Sequence, residues 1–260
     1  MLCIDEEMLN SIAHRMLSDY DMVNPGTVFS GDFRLDLADA WRLQTAVTNL
    51  RLERGETVAG YKIGCTTGGA QKRMGLLHPA WGRIWVAEQH VTGVALKKDG
   101  FSNVALEAEF AVLLKRAVDP QNASTETIVE AVENIYPVIE IHNLVWRGGP
   151  PYGAELIANN CIHAGVVRGP AIINPRVDVL TDLELLFDGE IVDSWQSLKW
   201  PGDILSAISW LAEEQAEIGN TLKAGDLILT GAFGPPIPLA NKTRVDIVSS
   251  KFGNAFALFE

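Results

Sequence analysis

Two glutamates stand inside an apolar run, Ala105-Leu106-Glu107-Ala108-Glu109-Phe110-Ala111-Val112-Leu113-Leu114, that otherwise reads as a buried strand. Side chains two apart on a strand share a face, so Glu107 and Glu109 point the same way. Two bare carboxylates side by side in apolar surroundings repel each other and lose hydration unless a proton or a cation intervenes. A third acid, Glu140, interrupts another apolar run in Tyr136-Pro137-Val138-Ile139-Glu140-Ile141-His142. Three carboxylates converging from rigid strands suit a hard divalent cation such as Mg2+ or Mn2+, with coordination positions left for water or a substrate. The spacing alone is a weak signal, because 33 acids in 260 residues give roughly four acidic pairs two apart by chance. The flanks carry the argument, since Phe110–Leu114 is apolar on both faces. An edge strand that exposes both acids to solvent is the alternative.

Lys62, in Gly60-Tyr61-Lys62-Ile63-Gly64, is a cation in a short strand between glycines. It is either a surface lysine whose stem snorkels to water, or a lysine that pairs with a substrate carboxylate or moves a proton beside the metal. The five histidines form no HxH or HExxH pattern. His14 falls on a helix, His78 in the turn Leu77-His78-Pro79, and His142 two residues past Glu140; each reads first as a loop or packing histidine. Gly68-Gly69 lacks the rest of a phosphate loop, Gly148-Gly149-Pro150-Pro151 reads as a turn or lid, and GxSxG and SxxK are absent, so a serine hydrolase has no support.

The elements that must position these residues change in texture along the chain. Met8, Leu9, Ile12, Met16 and Leu17 recur at helical spacing, as do Trp41, Leu43, Val47 and Leu50 in a stretch from about Asp39, with Gly55 as a stop. Strands follow at Val58–Ile63, Val104–Leu114, Pro137–Ile141, Leu227–Thr230, Val245–Ser249 and Ala255–Phe259. Asp188-Gly189 suits a two-residue turn joining Leu183–Phe187 to Glu190–Val192. Helices are expected near Thr125–Val132 and over Ile204–Ile218, the latter stopped by Gly219. Strands and helices do not alternate regularly, which disfavours a doubly wound sheet. The expected fold is α+β: a helical segment over 1–56 packed on a mainly antiparallel catalytic domain over 57–260.

A net charge of −12 repels phosphate backbones and anionic lipid, so neither nucleic acid nor a membrane is an expected partner. No apolar stretch approaches the ~18 residues of a membrane span, and the acidic N-terminus is unlike a signal or transit peptide. Cys3, Cys65 and Cys161 are few and scattered, which argues against a disulfide framework and fits a reducing cytoplasm.

Several segments, in order, together resemble the 2-keto-4-pentenoate hydratase / 4-oxalocrotonate decarboxylase family of the fumarylacetoacetate hydrolase superfamily. They are Trp41-Arg42-Leu43-Gln44, Gly60–Thr66, Pro79-Ala80-Trp81-Gly82, Leu106–Glu109, Pro137–Glu140, Gly169-Pro170-Ala171 and Ala224–Ala232. The resemblance implies a β-roll or barrel-like core of the fumarylacetoacetate hydrolase type, a Mg2+ or Mn2+ ion on Glu107, Glu109 and Glu140, a strand lysine at Lys62, and a Thr-Gly turn at the active-site wall at Thr230-Gly231. It also implies a homo-oligomer. The chain departs from the family pattern at Ala80, where an acid is common; that leaves a proton-donor role empty or passes it to His78. It departs again at Asn159, and at Lys199 in Leu198-Lys199-Trp200-Pro201, where Lys199 or Arg147 is a candidate partner for a second substrate carboxylate.

The activity so implied is that of a cytoplasmic metal-dependent hydro-lyase. It adds water to a 2-hydroxy-2,4-dienoate, or its 2-oxo-3-enoate tautomer, to give a 4-hydroxy-2-oxo acid late in aromatic ring degradation. A 2-oxo acid chelates the ion, which stabilises an enolate. Decarboxylation of a 2-oxo-enedioate uses the same electron sink and is the nearest rival. Hydrolytic C–C cleavage of an acylpyruvate comes next, then a non-catalytic partner subunit of the same fold.

Overall fold

The computed structural model describes residues 4–260; Cys3, one of the three cysteines above, lies outside the described residues. The chain opens with α1 (Glu6–Asp21) and α2 (Leu37–Glu53). Asp5 caps α1 by accepting from the Met8 amide at 2.8 Å, and Asp36 caps α2 by accepting from the Asp39 amide at 2.8 Å, each filling an amide that the helix cannot. α1 packs on α2, and α2 on a later helix (Gly153–Ala158), around Leu9, Ala13, Met16, Phe29, Leu43 and Ile157.

The strands in chain order are β1 (Val58–Gly64), β2 (Ala80–Trp85), β3 (Gln89–Val91), β4 (Val94–Leu96), β5 (Val104–Leu114), β6 (Val132–Asn143) and β7 (His163–Arg168). They continue with β8 (Ile172–Ile173), β9 (Val179–Phe187), β10 (Glu190–Trp200), β11 (Leu227–Leu229), β12 (Ile237–Pro238), β13 (Arg244–Ser249) and β14 (Gly253–Phe259). Between them lie α3 (Gly68–Met74), α4 (Thr125–Ala131), α5 (Gly153–Ala158) and α6 (Ile208–Glu217). A nine-stranded sheet runs β2-β1-β11-β5-β6-β7-β3, with β12 beside β5 and β8 beside β6; a five-stranded sheet runs β10-β9-β13-β14-β4. Pairing is mostly antiparallel, with parallel contacts at β1–β11, β3–β7 and β4–β14. This is the expected α+β class.

Strand alternation sorts the chemistry. Leu106, Ala108, Phe110 and Val112 of β5 join Ile139 and Ile141 of β6 in one cluster with Leu183, Leu185, Val245 and Ile247 of the smaller sheet. The opposite face of β5 and β6 carries Glu107, Glu109, Ala111, Val138 and Glu140, with Ala111 and Val138 in a separate cluster with Val166, Leu227 and Leu229. The large sheet thus buries one face on the second sheet and turns its acids to the other.

Polar anchors fix the helical segment to this sheet. Gln44 of α2 donates to the carbonyls of Trp81 and Ile157 at 3.1 and 3.0 Å and accepts from Arg83 at 2.9 Å. Arg51 donates to Glu56 and to Glu88 at 2.5 and 2.7 Å and lies 4.0 Å over the Trp85 ring. Tyr20 of α1 donates to the same Glu88 oxygen at 2.5 Å. Burial, and then the charge of Glu88, hold the Tyr20 phenol above its ordinary pKa.

Two local readings need correction, and one strand was not assigned from the sequence: Ala80–Trp85 is a strand buried at every position. The second arm of the Asp188-Gly189 hairpin runs to Trp200 rather than Val192; its polar outer residues hide the strand from a hydrophobicity pattern. The turn itself is as expected, with φ +49° and +82° at its two residues. The last helix begins at Ile208, not Ile204, because the Asp203 carboxylate accepts from the Lys199 amide and holds residues 199–203 as a turn. No helix among the described residues is long and apolar enough to cross a membrane.

Candidate functional site

Glu107 and Glu140 are direct cross-strand partners between β5 and β6, so both project from one face. Glu109 follows two residues along β5, and His142 two along β6, on that same face. Lys62 of β1 pairs with Leu229, which pairs with Ala111, placing the lysine there as well. Register delivers these side chains to one place, and the acids expected to converge do share a face.

Glu140 is fully buried, and its two oxygens have different surroundings. Oε1 lies 2.7 Å from His163 Nδ1 and 3.2 Å from Lys62 Nζ. Oε2 has no hydrogen-bond partner and lies 3.5 Å from His142 Nε2. That histidine nitrogen is 2.9 Å from Glu107 Oε2. Glu107, Glu140 and His142 each offer a ligand atom, all within 4.8 Å of one another. Glu109 is 1% exposed, and neither of its oxygens has a hydrogen-bond partner.

The charges respond to burial and to one another. Burial, and then the charges of Glu140 and Glu107, push the Glu109 carboxyl well above the usual range, with only partial relief from Lys62 and the Gly231 amide. Burial also disfavours ionised Glu140, but Lys62, His142 and His163 outweigh it and hold that carboxyl below its ordinary value. Desolvation works against the Lys62 ammonium too, yet the charge of Glu140, and then that of Glu107, more than offsets it and raises the lysine above its ordinary value. Burial raises the Cys161 thiol to about 12, and the thiol donates to the Trp81 carbonyl at 3.2 Å. It is therefore a neutral packing group. Buried carboxylate oxygens without a hydrogen-bond partner on Glu109 and on Glu140 Oε2, on one sheet face, fit a hard divalent cation.

Lys62, Glu107 and His142 line a cleft of about 840 Å³ open to solvent, together with Thr66, Arg73 of α3 and Phe233. The backbone passes closely here: a Cβ on Gly231, at φ +107°, would sit 2.5 Å from Thr66 Cγ2, so only glycine fits the turn.

The other sequence candidates lie elsewhere. The Thr230 hydroxyl turns away and donates to the Phe110 carbonyl at 3.1 Å, while the following Gly231 amide faces Glu109. His78 is exposed and rests against Trp210, with ring centroids 5.9 Å apart. Lys199 is exposed beside a separate surface depression with Thr125, Glu126 and Asp178. Neither lines the cleft. The Arg147 guanidinium donates to Asn24. The cation that lines the cleft beside Lys62 is Arg73, which sequence patterning gave no reason to choose.

His142 and His163 are the other omissions. His142 was legible in its parity with Glu140, two residues back, but looked like a packing residue. His163 required the register of β6 and β7, where His142 pairs with His163.

Comparisons with known proteins bear on the fold and on the reaction class. No family model matches the chain. A 2-keto-4-pentenoate hydratase of Burkholderia vietnamiensis is 28% identical over 204 residues, covering 78% of each chain. The structure of 4-oxalocrotonate decarboxylase from Pseudomonas putida G7, complexed with magnesium and adipate, superposes with TM-score 0.87 at 20% identity over all of both chains. That of fumarylpyruvate hydrolase from Pseudomonas aeruginosa, with Mn2+ and pyruvate, gives 0.56 at 17% identity, covering 76% of this chain and 88% of that one. The chain is thus a homologue of the curated 2-keto-4-pentenoate hydratases, carried on a fold of the fumarylacetoacetate hydrolase type.

Proposed function

We propose that this protein is a divalent-metal-dependent hydratase that adds water to a 2-hydroxy-2,4-dienoate, or its 2-oxo-3-enoate tautomer, to give a 4-hydroxy-2-oxo acid. The observation that carries the reading is the single sheet face that carries Glu107, Glu109 and Glu140, on which both Glu109 oxygens and Glu140 Oε2 are buried without a hydrogen-bond partner. The homology to hydratases supports the reaction class. Glu107, Glu109 and Glu140 would hold Mg2+ or Mn2+. A bound ion there would supply Lewis-acid polarisation of the 2-oxo and carboxylate oxygens of the substrate.

The chain's own groups have distinct tasks. Lys62 lies 3.2 Å from Glu140 Oε1 and lines the cleft, so it serves as a charge partner for the substrate carboxylate. His163, bonded to Glu140 Oε1, fixes that carboxylate and leaves Oε2 directed toward His142. Arg73 at the cleft suits a second carboxylate at the far end of a longer substrate. The Gly231 turn brings its amide to Glu109 and forms part of the wall.

The proposal extends to a cytoplasmic protein that self-associates. Light scattering of the purified protein tests the assembly. The activity is tested by the ultraviolet absorbance of a 2-hydroxy-2,4-dienoate, which falls as water adds across its conjugated system. Chelator-sensitive loss without CO₂ release supports the hydratase reading. CO₂ release from a 2-oxo-enedioate, or no turnover by metal-loaded protein, rejects it.

A further inference from the structure

We infer that His142 is a nitrogen ligand of the ion, making this a mixed carboxylate–imidazole centre that selects Mn2+ over Mg2+. The inference rests on the metal reading above and assigns a ligand, and a metal preference, that three glutamates alone would not give.

Three observations lead to it. First, the ligand atoms closest to one another are those of Glu107, Glu140 and His142, not those of the three glutamates. Atoms bound to one ion at about 2.1 Å and at right angles lie about 3.0 Å apart, and tetrahedral angles widen this to about 3.4 Å. His142 Nε2 lies 2.9 Å from Glu107 Oε2 and 3.5 Å from Glu140 Oε2. The 2.9 Å contact is a hydrogen bond, and the same spacing suits two ligand edges around one ion.

Second, Glu140 is divided between two tasks. Its Oε1 is held by His163 and Lys62. Its Oε2 is buried, has no hydrogen-bond partner, and lies on the His142 side. A buried carboxylate oxygen with a free lone pair beside an imidazole nitrogen is costly without a cation.

Third, His142 is 1% exposed yet lines the cleft with Lys62 and Glu107. Its Nδ1 has no hydrogen-bond partner. Nε2 is thus the ring atom directed at the acids, Nδ1 carries the proton when Nε2 ligates, and packing rather than a second hydrogen bond orients the ring.

A ligand set of carboxylates and water gives Mg2+ the oxygen octahedron it prefers. Replacing one oxygen by imidazole favours borderline first-row ions, so Mn2+ gains over Mg2+. The Glu109 oxygens remain available as a further carboxylate contact from the same face.

The test uses the full chain, stripped with chelator and reloaded with one ion at a time. Electron spin-echo modulation of the Mn2+ form reports a directly bound nitrogen without any assay of turnover. We expect nitrogen modulation in the parent, kept in His163→Ala and lost in His142→Ala. Titration calorimetry should give Mn2+ binding roughly tenfold or more tighter than Mg2+ in the parent, with that ratio reduced by roughly tenfold in His142→Ala. The parent measurements stand even if the His142 variant does not fold. A parent that binds Mn2+ without nitrogen modulation overturns the inference and leaves the hydratase reading intact. So does an unchanged Mn2+/Mg2+ ratio in a folded His142→Ala protein. A parent that binds neither ion overturns both.

Discussion

Replacing Glu109 with glutamine should make the ion-free protein more stable while destroying its response to metal. Glu109 is 1% exposed, its oxygens lack hydrogen-bond partners, and Glu107 and Glu140 lie close enough to push its carboxyl well above the usual range. Glutamine keeps the shape, removes the like-charge repulsion, and brings an amide that can donate to a neighbouring carboxylate. Relief of one poorly satisfied buried group is worth about 1–3 kcal/mol, or roughly 3–9 °C in Tm at about 3 °C per kcal/mol. The gain has a defined pH dependence. The folded-state pKa of Glu109 is raised, so the stability tied to its proton is complete below the unfolded value and is lost as pH rises through the folded one. Glutamine loses no proton, and the gap between variant and parent therefore widens with pH. In the parent, Mn2+ at a hundred times its dissociation constant should add about 2.7 kcal/mol; in Glu109→Gln it should add little. The assay is thermal unfolding of both proteins, with chelator and with Mn2+, at several pH values. An ion-free variant less stable than the parent, or one that gains as much from Mn2+, refutes the reasoning.

The remaining predictions concern neighbouring groups. Glu140→Gln, which removes the oxygen facing His142, should lower hydratase turnover at least about a hundredfold with the fold intact by circular dichroism. Lys62→Met leaves the Glu140 charge without its cation and should cost about 3–5 kcal/mol by urea unfolding, as should Arg51→Ala, which strands buried Glu88. Of these two, only Lys62→Met should also change the KM for the 2-oxo acid. Arg73→Ala should raise KM for a dicarboxylic substrate by roughly tenfold with little effect on a monocarboxylic one, whereas His78→Ala and Lys199→Ala should leave both within about twofold because neither side chain lines the cleft.

Where the sequence was legible, periodicity or chemical contradiction made it so. The Glu107 and Glu109 pair stood out because charges interrupt a strand that is apolar on both sides, and β5 spans Val104–Leu114 as expected. Asp188-Gly189 announced its hairpin through the positive φ that glycine and aspartate tolerate. What stayed hidden depends on partners distant in the chain. The Ala80–Trp85 strand is short and begins after a proline, so only its pairing with β1 identifies it. Gln44 and Arg51 look like ordinary helix-surface residues, yet they are 2% and 7% exposed because β2 and Glu88 lie against them. His163 reaches Glu140 across 23 positions, through a register irregularity between β6 and β7 that no local pattern encodes. Lys199 and His78 were chosen for charge and turn context, and the topology takes both to the outer surface.

The most direct test of the central claim is an anomalous-difference map from a crystal of the full chain soaked with Mn2+ and a 2-oxo acid such as pyruvate. The account predicts one strong peak at about 2.0–2.3 Å from carboxylate oxygens of Glu107 and Glu140, with Glu109 turned toward it and the keto acid in the remaining positions. A map with no peak among these glutamates, or a 2-oxo acid bound away from them, would contradict it.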